Sequence, residues 1–284
     1  MNQLYVYNGD LITAGNTGLP ALNRAFKVGD GLFETARLWK GQVLWEDIHL
    51  QRMARGMRLL GMKPWDEHER QRWAQGIRQL WGMYDFPVHA RLRWQVFRAG
   101  GGAYAPLQDD TDWVLELIPL EAGYHSTPPA RLVSYPEIRV RHSRLSACKT
   151  SSALLYVCAA RYARDRGGDD ALMFSPGGKA VEAASANLWW TEGEILCTPP
   201  LRTGCVDGVM RRMVHTLAAE LGIPVKEKTI SVADFAPASQ VFLTNAIRGV
   251  WPVATIDKQI LSPAATTIPD MLQKKLVDKA GQII

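Results

Sequence analysis

A lysine set just ahead of an apolar helix is a candidate nucleophile. In Arg144-Leu-Ser-Ala-Cys-Lys149-Thr150-Ser-Ser-Ala-Leu-Leu155 a turn-like basic segment delivers Lys149. Its amine can form an imine with a carbonyl and, once released, shuttle a proton. Further on, Ala180-Val-Glu182-Ala-Ala-Ser185-Ala-Asn187-Leu-Trp-Trp190 carries a carboxylate. The two are read together as a Schiff-base lysine and a glutamate that tunes the group bound to it. Most lysines are solvated surface charges, so the reading depends on what accompanies this one.

Other stretches offer anion sites. Arg52, in His49-Leu50-Gln51-Arg52, lies in the first turns of an expected helix and is either solvated or reaches an anion. Asp207-Gly208-Val209-Met210 opens another helix, with Asp207 as a plausible N-cap and free backbone N–H groups that favour a phosphate. Phe33, Thr35, Arg37 and Trp39 share one face of a strand, and Leu32, Glu34, Ala36 and Leu38 the other. A charge on each face is unusual for plain core; an edge strand is the alternative. Gly100-Gly101-Gly102 follows a strand as a flexible or close-approach loop, and it lacks the Gly-Lys-Ser/Thr ending of a phosphate loop. Cys148, Cys158, Cys197 and Cys205 form no metal-ligand spacing with histidine, so no metal is expected.

The elements that must position these groups follow from periodicity. Helices are expected over Asp47–Leu60, Asp66–Trp81, Ser151–Arg166, from Asp207 to Leu221, and over Pro269–Ala280. In the third of these, Leu154, Leu155, Val157, Cys158 and Tyr162 are expected to point inward. Asn8-Gly9 marks a hairpin. Strands are expected over Val88–Phe97, Trp113–Ile118, Arg131–Tyr135, Ile138–Val140, Asp170–Phe174, Ala180–Glu182, Asn187–Thr191, Ile195–Thr198, Val225–Ile230, Gln240–Thr244 and Val250–Ile256. This density of hairpins favours a meandering or barrel-like sheet over repeated βαβ units.

At 284 residues the chain is long enough for two modest domains. The expected division is an N-terminal α/β domain over 1–118, an interdomain loop over the Pro- and Gly-rich 119–129, and a C-terminal domain over 130–284. With 47% apolar and 21% charged residues, the composition is that of a globular chain rather than a disordered one. A net charge of +5 is mild and scattered, which fits a solvated surface or an anionic ligand and gives no nucleic-acid footprint. No apolar run approaches a membrane span, the first residues lack the pattern of a signal peptide, and the thiols read as reduced packing groups, so a cytoplasmic location is expected.

Taken in order, Gly29-Asp-Gly-Leu-Phe-Glu-Thr-Ala-Arg37, His49-Leu-Gln-Arg52, Lys149-Thr, Glu182 with Asn187-Leu-Trp, Asp207-Gly-Val-Met-Arg211 and Thr244-Asn245 resemble the fold-type IV pyridoxal-phosphate enzymes, the class IV aminotransferase family. The resemblance runs from Asn8 to about Pro252. It implies an α/β (α+β) fold of two domains, a small N-terminal α/β domain and a larger C-terminal pyridoxal-phosphate-binding domain with a barrel-like sheet. It implies pyridoxal 5'-phosphate held by Lys149, with Glu182 on the ring nitrogen. Arg52, the N–H groups of Val209 and Met210, and Asn245 and Ala246 would form the phosphate cup, with Asn187 beside the cofactor. It also implies a homodimer and a small-molecule substrate with a carboxylate and an amino group. Arg98 is the expected carboxylate partner; Phe33, Lys27 and Arg139 are further substrate-side candidates.

Within that family, Phe33–Arg37, Ala184–Trp190, Gly208–Arg211 and Asn245-Ala look like the blocks of 4-amino-4-deoxychorismate lyase. The alternatives are a D-amino-acid or a branched-chain amino-acid transaminase and, remotely, a non-catalytic binding protein of the same fold. Ala103 stands where lyases often carry an arginine, Phe33 where D-transaminases use a tyrosine, and Ser152 where many members have asparagine.

Overall fold

The computed structural model describes residues 4–13, 23–84, 88–121, 123–124, 128–235, 240–261 and 267–283. The chain divides into two compact units. One comprises Met1–Gly123, Cys148–Ser152 and Ile283–Ile284; the other comprises Tyr124–Ala147 and Ala153–Gln282. Part of the expected 119–129 boundary lies outside the described residues. The division departs from the expected one in a way that matters. The Lys149 segment is compact with the first unit, not with the C-terminal one.

The first unit contains β1 (Leu4–Tyr7), β2 (Asp10–Thr13), α1 (Arg24–Val28), β3 (Gly31–Trp39), β4 (Gln42–Val43), α2 (Glu46–Leu59), α3 (Glu67–Met83), β5 (His89–Arg98) and β6 (Thr111–Leu120). Its sheet runs β2-β1-β6-β5-β3-β4 and every pairing is antiparallel. Strict alternation in β5 sends Ala90, Leu92, Trp94 and Val96 into the core beside Met53 and Met57 of α2 and Trp73, Ile77 and Leu80 of α3. On the other face, the register sets Phe33 opposite Gln95, Thr35 opposite Arg93 and Arg37 opposite Arg91. The short helix α1, capped by the Asn23 side chain on the Phe26 N–H, has no counterpart among the sequence-based expectations. Five residues carry too little periodicity to register.

Because β4 pairs only with Leu38 and Trp39, the outer edge of β3 is open near its start. Residues 149–151 dock there. Phe33 N–H donates to the Lys149 carbonyl (2.9 Å), and Ser151 N–H donates to the Gly31 carbonyl (2.8 Å). Leu32 bridges Thr150. Gly31 is required by this approach: a Cβ there would lie 2.9 Å from Ser151 Oγ and 3.0 Å from Phe97 Cβ and the Val96 carbonyl.

The second unit contains β7 (Ala130–Ser134), α4 (Leu154–Arg164), β8 (Asp170–Phe174), β9 (Ala180–Ala183), β10 (Asn187–Glu192), β11 (Ile195–Thr198), α5 (Val209–Glu220), β12 (Val225–Glu227), β13 (Val241–Asn245), β14 (Gly249–Ile256), β15 (Gln259–Ile260) and α6 (Ile268–Gly281). Strands β10-β13-β14-β7-β8-β9 pair in that order, and β9 pairs back onto β10, which closes a six-strand barrel. The barrel-like expectation holds, with β7, α4 and β8 supplying one parallel βαβ crossover. Ile138–Val140, expected as a strand, has no strand pairing. Its backbone uses a single contact, from Val140 N–H to the Phe174 carbonyl.

Helix α4 differs from its expected orientation. Leu154, Val157 and Cys158 are exposed. Ala159 and Ala163 are buried, with Leu155, Tyr156 and Tyr162 beside them. The stripe at 155/156, 159, 162/163 satisfies helical spacing as well as the expected one does, and small alanines allow closer packing on the strands.

Candidate active site

The Lys149 segment pairs through its backbone with the edge of β3. Its Nζ lies 4.3 Å from the centroid of the Phe33 ring, and the Arg93 guanidinium carbon lies 4.1 Å from the same centroid. Two cations on one aromatic ring are each stabilised by its π-face, and together they form a positive, half-buried surface. Gln95 Nε2 donates to Ser151 Oγ (2.9 Å) and steadies the segment.

On the opposite face of β3, Glu34 is fully enclosed. Its Oε1 accepts from Arg52 Nε (2.7 Å), its Oε2 accepts from Arg52 Nη2 (2.6 Å), and His49 Nδ1 lies 2.7 Å from Oε2. Burial alone would push the Glu34 carboxyl up, but the charge and hydrogen bonds of Arg52, aided by His49, outweigh it and bring it to about 2. Burial moves His49 the other way, below its ordinary value, against the pull of Glu34 and with help from the charges of Arg52 and Lys149. The expected anion-binding arginine is therefore clamped bidentately before any ligand is considered, and its orientation is set by a charge on a strand rather than by its own helix.

Glu182 sits in β9 and is 2% exposed. Tyr156 O–H donates to its Oε1 (3.0 Å); Val206 N–H (3.0 Å) and Asn187 Nδ2 (3.4 Å) donate to its Oε2. Asn187 faces Glu182 across the β9–β10 pairing and also donates to the Val206 carbonyl (2.8 Å). Tyr156 is raised above the ordinary phenol range by burial and by the Glu182 charge, so it stays a donor. The same causes, burial first, push the Cys205 thiol up to about 12.

Helix α5 begins next to this carboxylate's partners. Its N-cap is Gly208, with no side-chain cap. Asp207, expected to cap it, instead accepts from Arg212 Nη2 (2.7 Å); one turn of helix brings a guanidinium within reach, and a charged partner is stronger than an amide. The first-turn N–H groups, those of Val209 and Met210 included, have no intrahelical acceptor and carry the positive end of the helix dipole. A Cβ at Gly208 would meet Asn187 Oδ1 at 1.9 Å. Asn245 closes a turn by accepting from Ile247 N–H (3.1 Å) and Arg248 N–H (2.9 Å), while the Ala246 carbonyl accepts from Tyr124 O–H (2.9 Å).

Each unit thus collects its own share of the expected residues. The first gathers Lys149 with Phe33, and Arg52 with Glu34. The second gathers Glu182, Asn187 and the α5 start. Arg98 stands apart from both groups. It is 4% exposed. Its Nε donates to Asp30 (3.0 Å), Nη1 to the Gly61 carbonyl (3.2 Å) and to Asp109, and Nη2 to the Leu60 carbonyl. With its fork on these groups, Arg98 ties loops of the first unit together. Lys27 is exposed on α1, and Arg139 is exposed with its guanidinium 5.7 Å from the Phe174 ring centroid. Neither is built into a cluster with the other expected residues. Sequence reasoning missed Arg93 and Tyr156. Period-two alternation along β5 sets Arg93 on the same face as Phe33, and helical spacing from Tyr156 to Ala159 and Ala163 sets the tyrosine on the inner face of α4.

A family model described as amino-transferase class IV matches residues 31–256. Aminodeoxychorismate lyase of Bacillus subtilis (strain 168) is 24% identical over 282 residues, covering 96% of this chain and 94% of its own. D-alanine aminotransferase of Bacillus licheniformis is 23% identical over 300 residues, covering 98% and 99%. Among solved structures, the branched-chain aminotransferase from Thermoproteus uzoniensis with norvaline superposes with a TM-score of 0.85 at 22% identity, over 99% of this chain and 96% of that one. No helix among the described residues is long and apolar enough to cross a membrane, and no group of His, Cys, Asp or Glu among them forms a metal site.

Proposed function

Since this chain belongs to the amino-transferase class IV family, whose members are pyridoxal-phosphate-dependent enzymes, we propose that it binds pyridoxal 5'-phosphate through Lys149 and acts as a 4-amino-4-deoxychorismate lyase. The observation that carries the cofactor reading is Glu182, a buried carboxylate held by Tyr156, Val206 and Asn187. Such a group suits a cationic ring nitrogen. The residues fit the rest of the cofactor as well: an uncapped helix start at Gly208, which a Cβ would block, suits a phosphate.

When bound, pyridoxal phosphate supplies a carbonyl carbon for amines and a ring that takes up an electron pair. The chain's residues do the rest. Lys149 Nζ would be the amine that holds the cofactor's carbonyl carbon and would serve as the base for the substrate's α-proton. Glu182 keeps positive charge at the ring nitrogen. The amides of Val209 and Met210, with Asn245, Ala246 and the charge of Arg52, hold the phosphate. Arg93, level with Lys149 on the Phe33 ring, replaces Arg98 as the proposed partner of the substrate carboxylate. Asn187 keeps Glu182 and the α5 start in register.

The lyase reading rests on the sequence blocks named above and on the full-length similarity to a curated lyase. Its test is simultaneous release of pyruvate and p-aminobenzoate from aminodeoxychorismate generated in situ, with Lys149→Ala as the blank. Matched release well above the blank is the expected result. Release no greater than the blank, from protein that shows the bound-cofactor spectrum, rejects the lyase. In that case conversion of D- or L-amino acids identifies a transaminase, the second reading, which the similarity to a D-alanine aminotransferase favours.

A further inference from the structure

Glu182 is a buried carboxylate with donors on different elements. Val206 N–H and Asn187 Nδ2 both serve Oε2, and each comes from a group fixed by the barrel or by the loop before α5. Oε1 accepts from Tyr156 O–H at 3.0 Å, a donor carried on a different element, the first turn of α4. Titratable groups that feel the carboxylate include Tyr156 itself and the Cys205 thiol, with Arg211 beside that thiol in turn. Burial, together with the Glu182 charge, keeps both the phenol and the thiol protonated.

A proton shared between a buried carboxylate and a ring nitrogen rests on whichever is more basic. Hydrogen bonds donated to the anion lower its basicity and leave the proton on the nitrogen; removing one raises the basicity and draws the proton back. We propose that Tyr156 is a positioning residue that acts through Glu182, its hydroxyl holding Oε1 in the ionised form so that the ring nitrogen keeps its proton. The proposal rests on the reading of Glu182 as the partner of that nitrogen. It assigns α4, the helix that follows the Lys149 segment in the chain, a part in tuning the cofactor's capacity to take up electrons.

The experiment compares wild type, Tyr156→Phe and a form with fluorotyrosine at position 156, a stronger donor of nearly the same shape. The first readout needs no cofactor: pH-dependent infrared difference spectra of the unloaded protein, with the Glu182 carboxyl band identified by its absence in Glu182→Gln. Loss of one hydrogen bond to a buried charge raises the protonation midpoint by roughly one to two pH units, and fluorotyrosine moves it down. The second readout uses the loaded enzyme: Tyr156→Phe lowers kcat about tenfold or more, with KM nearly unchanged. A purely structural tyrosine would lower the melting temperature and leave the midpoint in place. An unmoved midpoint, or a moved midpoint with unchanged kcat, overturns the proposal. If the wild-type protein takes up no pyridoxal phosphate, the cofactor reading fails and the proposal with it, while the infrared midpoint still reports whether Tyr156 governs Glu182, so the two failures are told apart.

Discussion

At the scale of single residues, Glu34 survives as an anion without water because Arg52 occupies both of its oxygens. Breaking such a buried pair leaves an uncompensated charge, so Glu34→Gln is expected to lower the unfolding free energy by about 3–5 kcal/mol in denaturant titration. Its pH dependence has a definite sign. The folded carboxyl titrates at about 2 against an ordinary 4.5. The stabilisation it contributes, about 3 kcal/mol, is therefore complete above pH 4.5 and lost as the pH falls toward 2. Glu34→Gln should remove that acid-side slope, and a slope that persists in the variant would place the effect on another group. Arg98 makes the contrasting case. Arg98→Ala is expected to lower the melting temperature by several degrees while KM for the substrate changes less than twofold; Arg93→Ala is expected to raise KM at least tenfold with the melting temperature nearly intact. The opposite pattern would return the carboxylate role to Arg98.

Two elements do most of the positioning. The open edge of β3 accepts residues 149–151 through backbone bonds, supported by the Gln95 amide on Ser151 Oγ. The start of α5 is the other. Because an alanine Cβ at position 208 would fall 1.9 Å from Asn187 Oδ1, Gly208→Ala must displace either the helix start or the asparagine. Its expected cost is about 1–3 kcal/mol of stability together with at least tenfold weaker binding of pyridoxal phosphate, measured by titrating the unloaded protein. Wild-type affinity in this variant would rule out the α5 amides as the phosphate site. Helix α4 leaves Leu154 and Val157 exposed and packs through Ala159 and Ala163 with Leu155, Tyr156 and Tyr162 beside them.

For the molecule as a whole, the residues proposed to hold the cofactor divide between the two units. The chain leaves the first unit after β6, enters the second, returns to the first for residues 148–152, and leaves again into α4. Lys149 therefore rides on one compact unit and Glu182 on the other. The family resemblance implies a homodimer, and sedimentation is expected to report about twice the chain mass of 31.6 kDa; a species of single chain mass that retains full turnover would reject an obligate dimer.

Local signals determined much of this protein. Period-3.6 stripes located α2, α3, α5 and α6 to within two residues or so, period-two runs and Gly-rich turns located the barrel strands, and the ordered blocks around Lys149, Glu182 and Asp207 pointed to one cofactor. These features are legible because each depends on neighbours in sequence. Tertiary structure decided what depends on distant partners. It assigned Arg52 to Glu34, Asp207 to Arg212, and Arg98 to Asp30 and Asp109, because a guanidinium goes to whichever carboxylate the fold brings within reach. It chose between two equally periodic faces of α4, since only packing against β7 and β8 distinguishes alanines from leucines there. And it placed Tyr156 on Glu182, a contact across 26 residues that no local pattern encodes, because the distance between a helix start and a barrel strand is set by the closure of the barrel.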